Sequence, residues 1–216
     1  MGTIIKGIQY LMLKIMKRLR QPDDNRPAIA TAEHLLDNKL LPSAFSVFQD
    51  SQFRQATGFD KLAQVEQDRI FNELEVATMS LCLFCIEQRG AIVGNKDFHF
   101  WKEVSKKIPI QFEQKLLGHG VDKGNAKLFK DLIMIRHEEY EKIFDGSRDY
   151  FEEQKDFKDI SNKSAKNAFV RAQSVTVGAV DHIRRGKLKQ GDSLLRIIRN
   201  WLFPLDIEIT KFIRKL

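Results

Sequence analysis

The residues whose spacing could most directly support chemistry are His137 and Glu141, which lie four positions apart in His-Glu-Glu-Tyr-Glu. Residues at i and i+4 share a helix face, so the imidazole and the carboxylate could bind one metal ion. The segment departs from the HExxH zinc motif because Glu141 replaces the second histidine. The Glu-x-x-His pairs of di-iron bundles are also missing from the chain. We therefore assign no metal site, and keep a metal-dependent helical-bundle enzyme as an alternative.

Cys82 and Cys85 have the spacing of a redox CxxC pair. Redox pairs place the first thiol at a helix N-terminus, where unpaired N–H groups stabilise the thiolate. Here the pair lies inside the most apolar stretch of the chain, which predicts buried, unreactive thiols. Two cysteines also exclude a disulfide framework, so we expect the cytoplasm or another reducing compartment.

No other pattern fixes a reaction. The spacing Gly186 to Ser193 has the two glycines of a phosphate loop, but Asp192 stands where the lysine is required. The five histidines lie far apart in the sequence. We therefore predict no catalytic residue and no cofactor, and favour a non-enzymatic role.

Basic and acidic residues are unevenly distributed along the chain, with basic ends and an acidic middle. Residues 1–20 carry five basic residues and no acidic one, and residues 161–216 carry twelve basic residues against four acidic ones. Since the whole chain has a net charge of +7, residues 21–160 carry −6. This distribution is typical of a protein that meets an anionic surface or partner at its ends.

The N-terminal segment is predicted to form a basic amphipathic helix. On a helical wheel its apolar residues fall within one arc and its basic residues lie opposite. The apolar face includes Ile8, Leu11, Ile15 and Leu19, and the basic face consists of Lys6, Lys14, Lys17, Arg18 and Arg20. Three interpretations are open, in which this face packs on the protein's own core, enters a membrane surface or binds a partner protein.

The C-terminal segment repeats this design. Arg196 and Arg199 lie off an apolar face that runs to Trp201, and Lys211, Arg214 and Lys215 follow Pro204. A tryptophan beside basic residues suits a boundary between apolar and aqueous phases, although packing on the core is a competing interpretation. Two weak anchors in one chain would raise the effective affinity for a surface.

The basic link before the last helix offers a further binding hypothesis. Arg184, Arg185, Lys187 and Lys189 could grip the phosphates of nucleic acid, within a wider basic region 163–199. The link has no aromatic residue to stack on bases, and the neighbouring Asp181 and Asp192 reduce its charge. A nucleic-acid-binding or nucleoprotein subunit is therefore the alternative function.

The hydrophobic periodicity predicts an all-α protein, an irregular bundle of six to seven helices. Its long central helices include one over residues 60–88, and peripheral basic amphipathic helices flank them. We divide the chain into an N-terminal helix (1–22), a bundle core (23–190) and a C-terminal helix (191–216) kinked at Pro204. Pro42 and Pro109 are expected to end helices. A short strand after Pro204 is an alternative interpretation of that segment. The longest uncharged apolar run, residues 76–86, is too short to cross a bilayer.

Together these features favour a non-enzymatic helical interaction protein. It would be a peripheral membrane or assembly component that attaches through its basic amphipathic ends. The expected partner is an anionic membrane surface or another protein, with nucleic acid as the alternative; the oligomeric state is not predicted.

Overall fold

A computed structural model describes residues 26–90, 95–153, 163–189 and 191–215. The described chain is helical and contains no strand, which confirms the predicted all-α bundle. The α-helices are α1 (Arg26–Leu35), α2 (Leu41–Gln49), α3 (Ser51–Thr57), α4 (Gln64–Gly90), α5 (Asn95–Gly118), α6 (Lys123–Glu153), α7 (Lys163–Ile183) and α8 (Ser193–Lys215). None of these helices is long and apolar enough to span a membrane.

Helices α1 and α2 are joined by a π-helical turn, Leu36–Leu40, so the chain is helical from residue 26 to residue 49. The N–H of Leu41 donates to the carbonyl of Leu36, one residue further back than in an α-helix. Pro42, which has no N–H, follows directly after this change of register. The prediction that Pro42 ends a helix is therefore wrong.

Pro109 was also expected to end a helix and does not, while the kink at Pro204 stays a prediction. Helix α5 continues through Pro109, and α8 continues through Pro204. The residues after Pro204 are helical, so the short strand that was considered possible there does not form.

Helix α4 is the central element of the bundle. It packs against α2, α5, α6, α7 and α8, and every residue in its segment 76–86 is buried. A helix that is apolar on all sides is stable only when other helices surround it. This helix was predicted from the apolar run, although it begins at Gln64 rather than near residue 60.

Helix α8 lies deeper in the bundle than its charge predicts. It packs on α7 and α4, and its apolar face is buried at Leu194, Ile198, Leu202, Leu205, Ile209 and Ile213. The helix is therefore not peripheral, because this face supplies core contacts between α4 and α7. The face is not available to a membrane or a partner in this structure.

A buried polar network joins α4, α7 and α8. Arg171 donates two 2.7 Å hydrogen bonds to the carboxylate of Asp206 and a third, of 2.8 Å, to Gln88. The thiol of Cys85 lies 3.3 Å from the same carboxylate. Paired and hydrogen-bonded in this way, the two charges can stay in the interior, where they fix how the three helices align.

Candidate functional site

An apolar groove lies between α4, α5 and α6. It has a volume of about 620 Å³ and is lined by apolar side chains, among them Leu83, Ile86, Trp101, Pro109, Ile110 and Met134. Each of the three helices contributes side chains to it. This volume lies in the range of small-molecule sites, which are mostly apolar with a few polar groups.

Part of the groove's apolar surface remains open to solvent. Phe98, Ile110 and Met134 are 38%, 39% and 43% exposed, although all are large apolar residues. Exposed apolar residues that line one groove are more informative than residues scattered singly over a surface. The groove therefore has the character of a binding surface.

Charged residues are placed around the groove. Lys106 pairs with Glu103 at 2.6 Å, and Lys130 pairs with Glu113 at 2.8 Å. Lys102 also lines the groove, and it forms no ion pair with any described residue. The acidic lining residues are Glu87 and Asp131. Lys102 is thus the cation most available to an anionic ligand.

Glu87 extends the groove into a three-residue cluster with His137 and Glu141. His137 Nε2 lies 3.0 Å from a carboxylate oxygen of Glu87 and 4.0 Å from one of Glu141. The side chain of His137 is 4% exposed, whereas the side chains of Glu87 and Glu141 are 44% and 50% exposed. A buried nitrogen thus faces two carboxylates that reach solvent.

Helix geometry explains why the cluster and the groove adjoin. Residues 130, 134, 137 and 141 recur at intervals of three or four along α6 and therefore share one face. Asp122 begins this helix, since its carboxylate accepts a 3.0 Å hydrogen bond from the N–H of Asn125.

The packing of His137 fixes its ring. The ring lies 4.7 Å from that of Phe84, and its second nitrogen, Nδ1, has no hydrogen-bond partner among the described residues. A bare nitrogen costs less in this position than an unpaired N–H, so the neutral tautomer that donates from Nε2 to Glu87 fits the site. The spacing of His137 and Glu141 suggested their proximity, whereas Glu87 was missed because it lies on another helix.

The two cysteines are buried and free, as predicted. Burial raises the pKa of both thiols, and the nearby Asp206 carboxylate raises them further. Thiols in this state are poor nucleophiles, so this CxxC pair has the environment of core residues.

Trp201 and Arg196 line a second depression, of about 640 Å³, together with polar residues such as Ser46 and Asp50. The indole N–H of Trp201 donates a 2.7 Å hydrogen bond to Ser43. Arg199 lies over the ring of Phe169 at 6.0 Å. These contacts hold the side chains of Trp201 and Arg199 against the protein.

The remaining C-terminal cations, Lys211, Arg214 and Lys215, are exposed on α8. Their role in attachment stays a prediction. The predicted N-terminal site, including Ile8, Leu11, Ile15, Leu19 and its basic face, lies outside the described residues.

The basic link is partly used within the fold. Arg184 donates two hydrogen bonds, of 2.8 and 2.9 Å, to Asp192, and Arg185 pairs with Glu66. Lys187 and Lys189 are exposed. Engagement of the two arginines lowers the charge that the link can offer to phosphates, and nucleic-acid binding stays a prediction.

No family model, curated protein or solved structure matches this chain. The groove and its neighbouring cluster are therefore the features from which a function can be inferred. The periodicity of any one helix could not predict the groove, because its lining residues come from three helices.

Proposed function

We propose that this protein is a non-enzymatic helical binding protein that acts at an anionic membrane surface and takes the chain of an anionic, single-chain amphiphile into its α4–α5–α6 groove. The apolar groove is the single observation that carries the amphiphile-binding part of the proposal. The membrane part depends on the basic ends of the sequence, and the amphiphile would come from the same anionic lipid surface.

The dimensions of the groove suit an extended chain. Its lining on α5 runs from Phe98 to Ile110, which corresponds to roughly 18 Å along the helix axis at 1.5 Å per residue. Apolar side chains along that length would remove an acyl chain from water, which stabilises the complex by about 0.8 kcal/mol per buried methylene group. The groove therefore favours a long, narrow ligand.

The sign of the charge on the ligand's head group follows from the cation that the groove offers. Lys102 has no ion-pair partner among the described residues, whereas Glu87 and Asp131 are separated from it on other helices. A carboxylate or phosphate beside Lys102 would gain an ion pair without breaking one. The net charge of +7 also favours the approach of an anion over that of a cation.

A titration of the full chain with a long-chain fatty acid tests the proposal, followed by tryptophan fluorescence, to which Trp101 in the groove wall contributes. We expect saturable binding that is stronger than for the matching fatty alcohol or alkylammonium. Lys102→Gln should weaken binding of the acid but not of the alcohol. Met134→Glu should weaken both by at least about tenfold, equal to about 1.4 kcal/mol.

Leu128→Glu is the matched control, because Leu128 is also on α6, is 65% exposed and does not line the groove. The proposal fails if none of the three ligands binds. Binding that appears only after Ile8→Asp and Ile15→Asp would instead assign the groove to the chain's own N-terminal segment.

A further inference from the structure

We infer that Glu87, His137 and Glu141 form a binding site for a divalent transition-metal ion such as Zn²⁺. Each residue offers one ligand atom, and these three atoms lie within 4.8 Å of one another. One imidazole nitrogen and two carboxylate oxygens are ligands that Zn²⁺ accepts, and three protein ligands leave a coordination position open. The site goes beyond the proposed function, because neither its ligands nor its test depends on the amphiphile.

The charge of the cluster supports a cation. Two carboxylates converge on one imidazole, and neither of them pairs with a lysine or arginine among the described residues. With His137 neutral the cluster carries about −2, and with His137 protonated it still carries about −1. A bound divalent ion would balance this charge, which no lysine or arginine ion pair balances among the described residues.

The geometry requires only a small adjustment. Ligand atoms about 2.1 Å from a tetrahedral ion are separated by roughly 3.4 Å. The separation of His137 from Glu87 is already close to that at 3.0 Å, and that from Glu141 is 4.0 Å. The half-exposed side chain of Glu141 can close this difference by a change of rotamer, while the packed imidazole stays in place.

His137 also sets the expected strength of the site. Metal binding at Nε2 places the ring proton on Nδ1, which has no hydrogen-bond partner among the described residues. Metal-binding histidines normally donate that proton to a neighbouring acceptor, and loss of the acceptor lowers affinity by roughly 10–100-fold. We therefore expect specific binding with an affinity below that of a structural zinc site.

Isothermal titration of the full chain with Zn²⁺, in a chelator-treated sample free of amphiphile, tests the inference. We expect one Zn²⁺ per chain at this site, and at least tenfold weaker binding in Glu141→Gln and in Glu87→Gln. Glu138→Gln is the matched control, since Glu138 lies beside His137 on α6, is exposed and is outside the cluster. That control should bind like the parent chain.

A fourth variant, His137→Phe, removes the nitrogen ligand but keeps an aromatic ring against Phe84. It should lose the site while its circular dichroism shows a folded helical protein. A folded parent chain that binds no Zn²⁺ would overturn the inference. So would Zn²⁺ binding that the Glu87, His137 and Glu141 substitutions all leave unchanged, because the ion would then be held elsewhere.

Discussion

Glu75 lies largely buried in α4, and its carboxylate has no hydrogen bond or ion pair with a described residue. Burial raises its pKa to about 7, from 4.5. The folded chain therefore holds this proton more tightly than the unfolded chain does. Stability from this group is present in full below pH 4.5 and is lost as the pH rises to about 7, by up to about 3 kcal/mol.

Urea unfolding at a series of pH values measures this effect. The parent chain should lose stability over that pH window, and Glu75→Gln should remove the loss because its amide does not ionise. Glu138→Gln, at an exposed position, should retain the pH dependence of the parent chain. If Glu75→Gln follows the parent curve, the dependence belongs to other groups.

At the same scale, the sequence predicts chemistry only where its residues share a helix. The i, i+4 spacing predicted that His137 and Glu141 are neighbours, and His137 Nε2 lies 4.0 Å from Glu141 Oε1. Glu87 is fifty positions away from His137, and its contact depends on how α4 packs against α6. Tertiary contacts of this kind leave no local signal, so the third member of the cluster could not be predicted.

At the scale of the element, Gly178 decides how closely α7 approaches α6. A Cβ atom at this position would lie 2.2 Å from a ring carbon of the buried Tyr140, well inside contact distance. Gly178→Ala should therefore destabilise the protein by about 1–3 kcal/mol through overpacking, despite the better helix propensity of alanine. Thermal unfolding followed by circular dichroism measures the change.

Gly146 provides the matched control, since it is also inside a helix but a Cβ there would meet no atom within 4 Å. Gly146→Ala should leave the protein unchanged or stabilise it by about 0.5–1 kcal/mol. Equal effects of the two substitutions would mean that the Gly178–Tyr140 contact does not limit the packing of α6 and α7.

Element type was more predictable than element ends or depth. The apolar run of α4 predicted a central helix because burial on all sides leaves that pattern. The helix was wrongly predicted to end at Pro42, because the sequence does not show the π-helical turn before it that accommodates the missing N–H. An apolar face opposed by cations has the same appearance whether a membrane or the bundle covers it, so the depth of α8 could not be predicted either.

For the whole molecule, the sorted charge and the buried face of α8 make different predictions for the two ends. Each basic residue near an anionic membrane contributes about 1 kcal/mol. A full chain with Lys14→Gln, Lys17→Gln and Arg18→Gln should therefore bind anionic vesicles roughly a hundredfold more weakly, in co-sedimentation at low salt. The same three charges removed at Arg196, Lys211 and Lys215 should cost less than about tenfold, because the apolar face beneath them is packed against α4 and α7. Equal losses of vesicle binding in the two triple variants would mean that net charge alone controls attachment. A larger loss in the α8 variant would place the membrane-facing surface on α8.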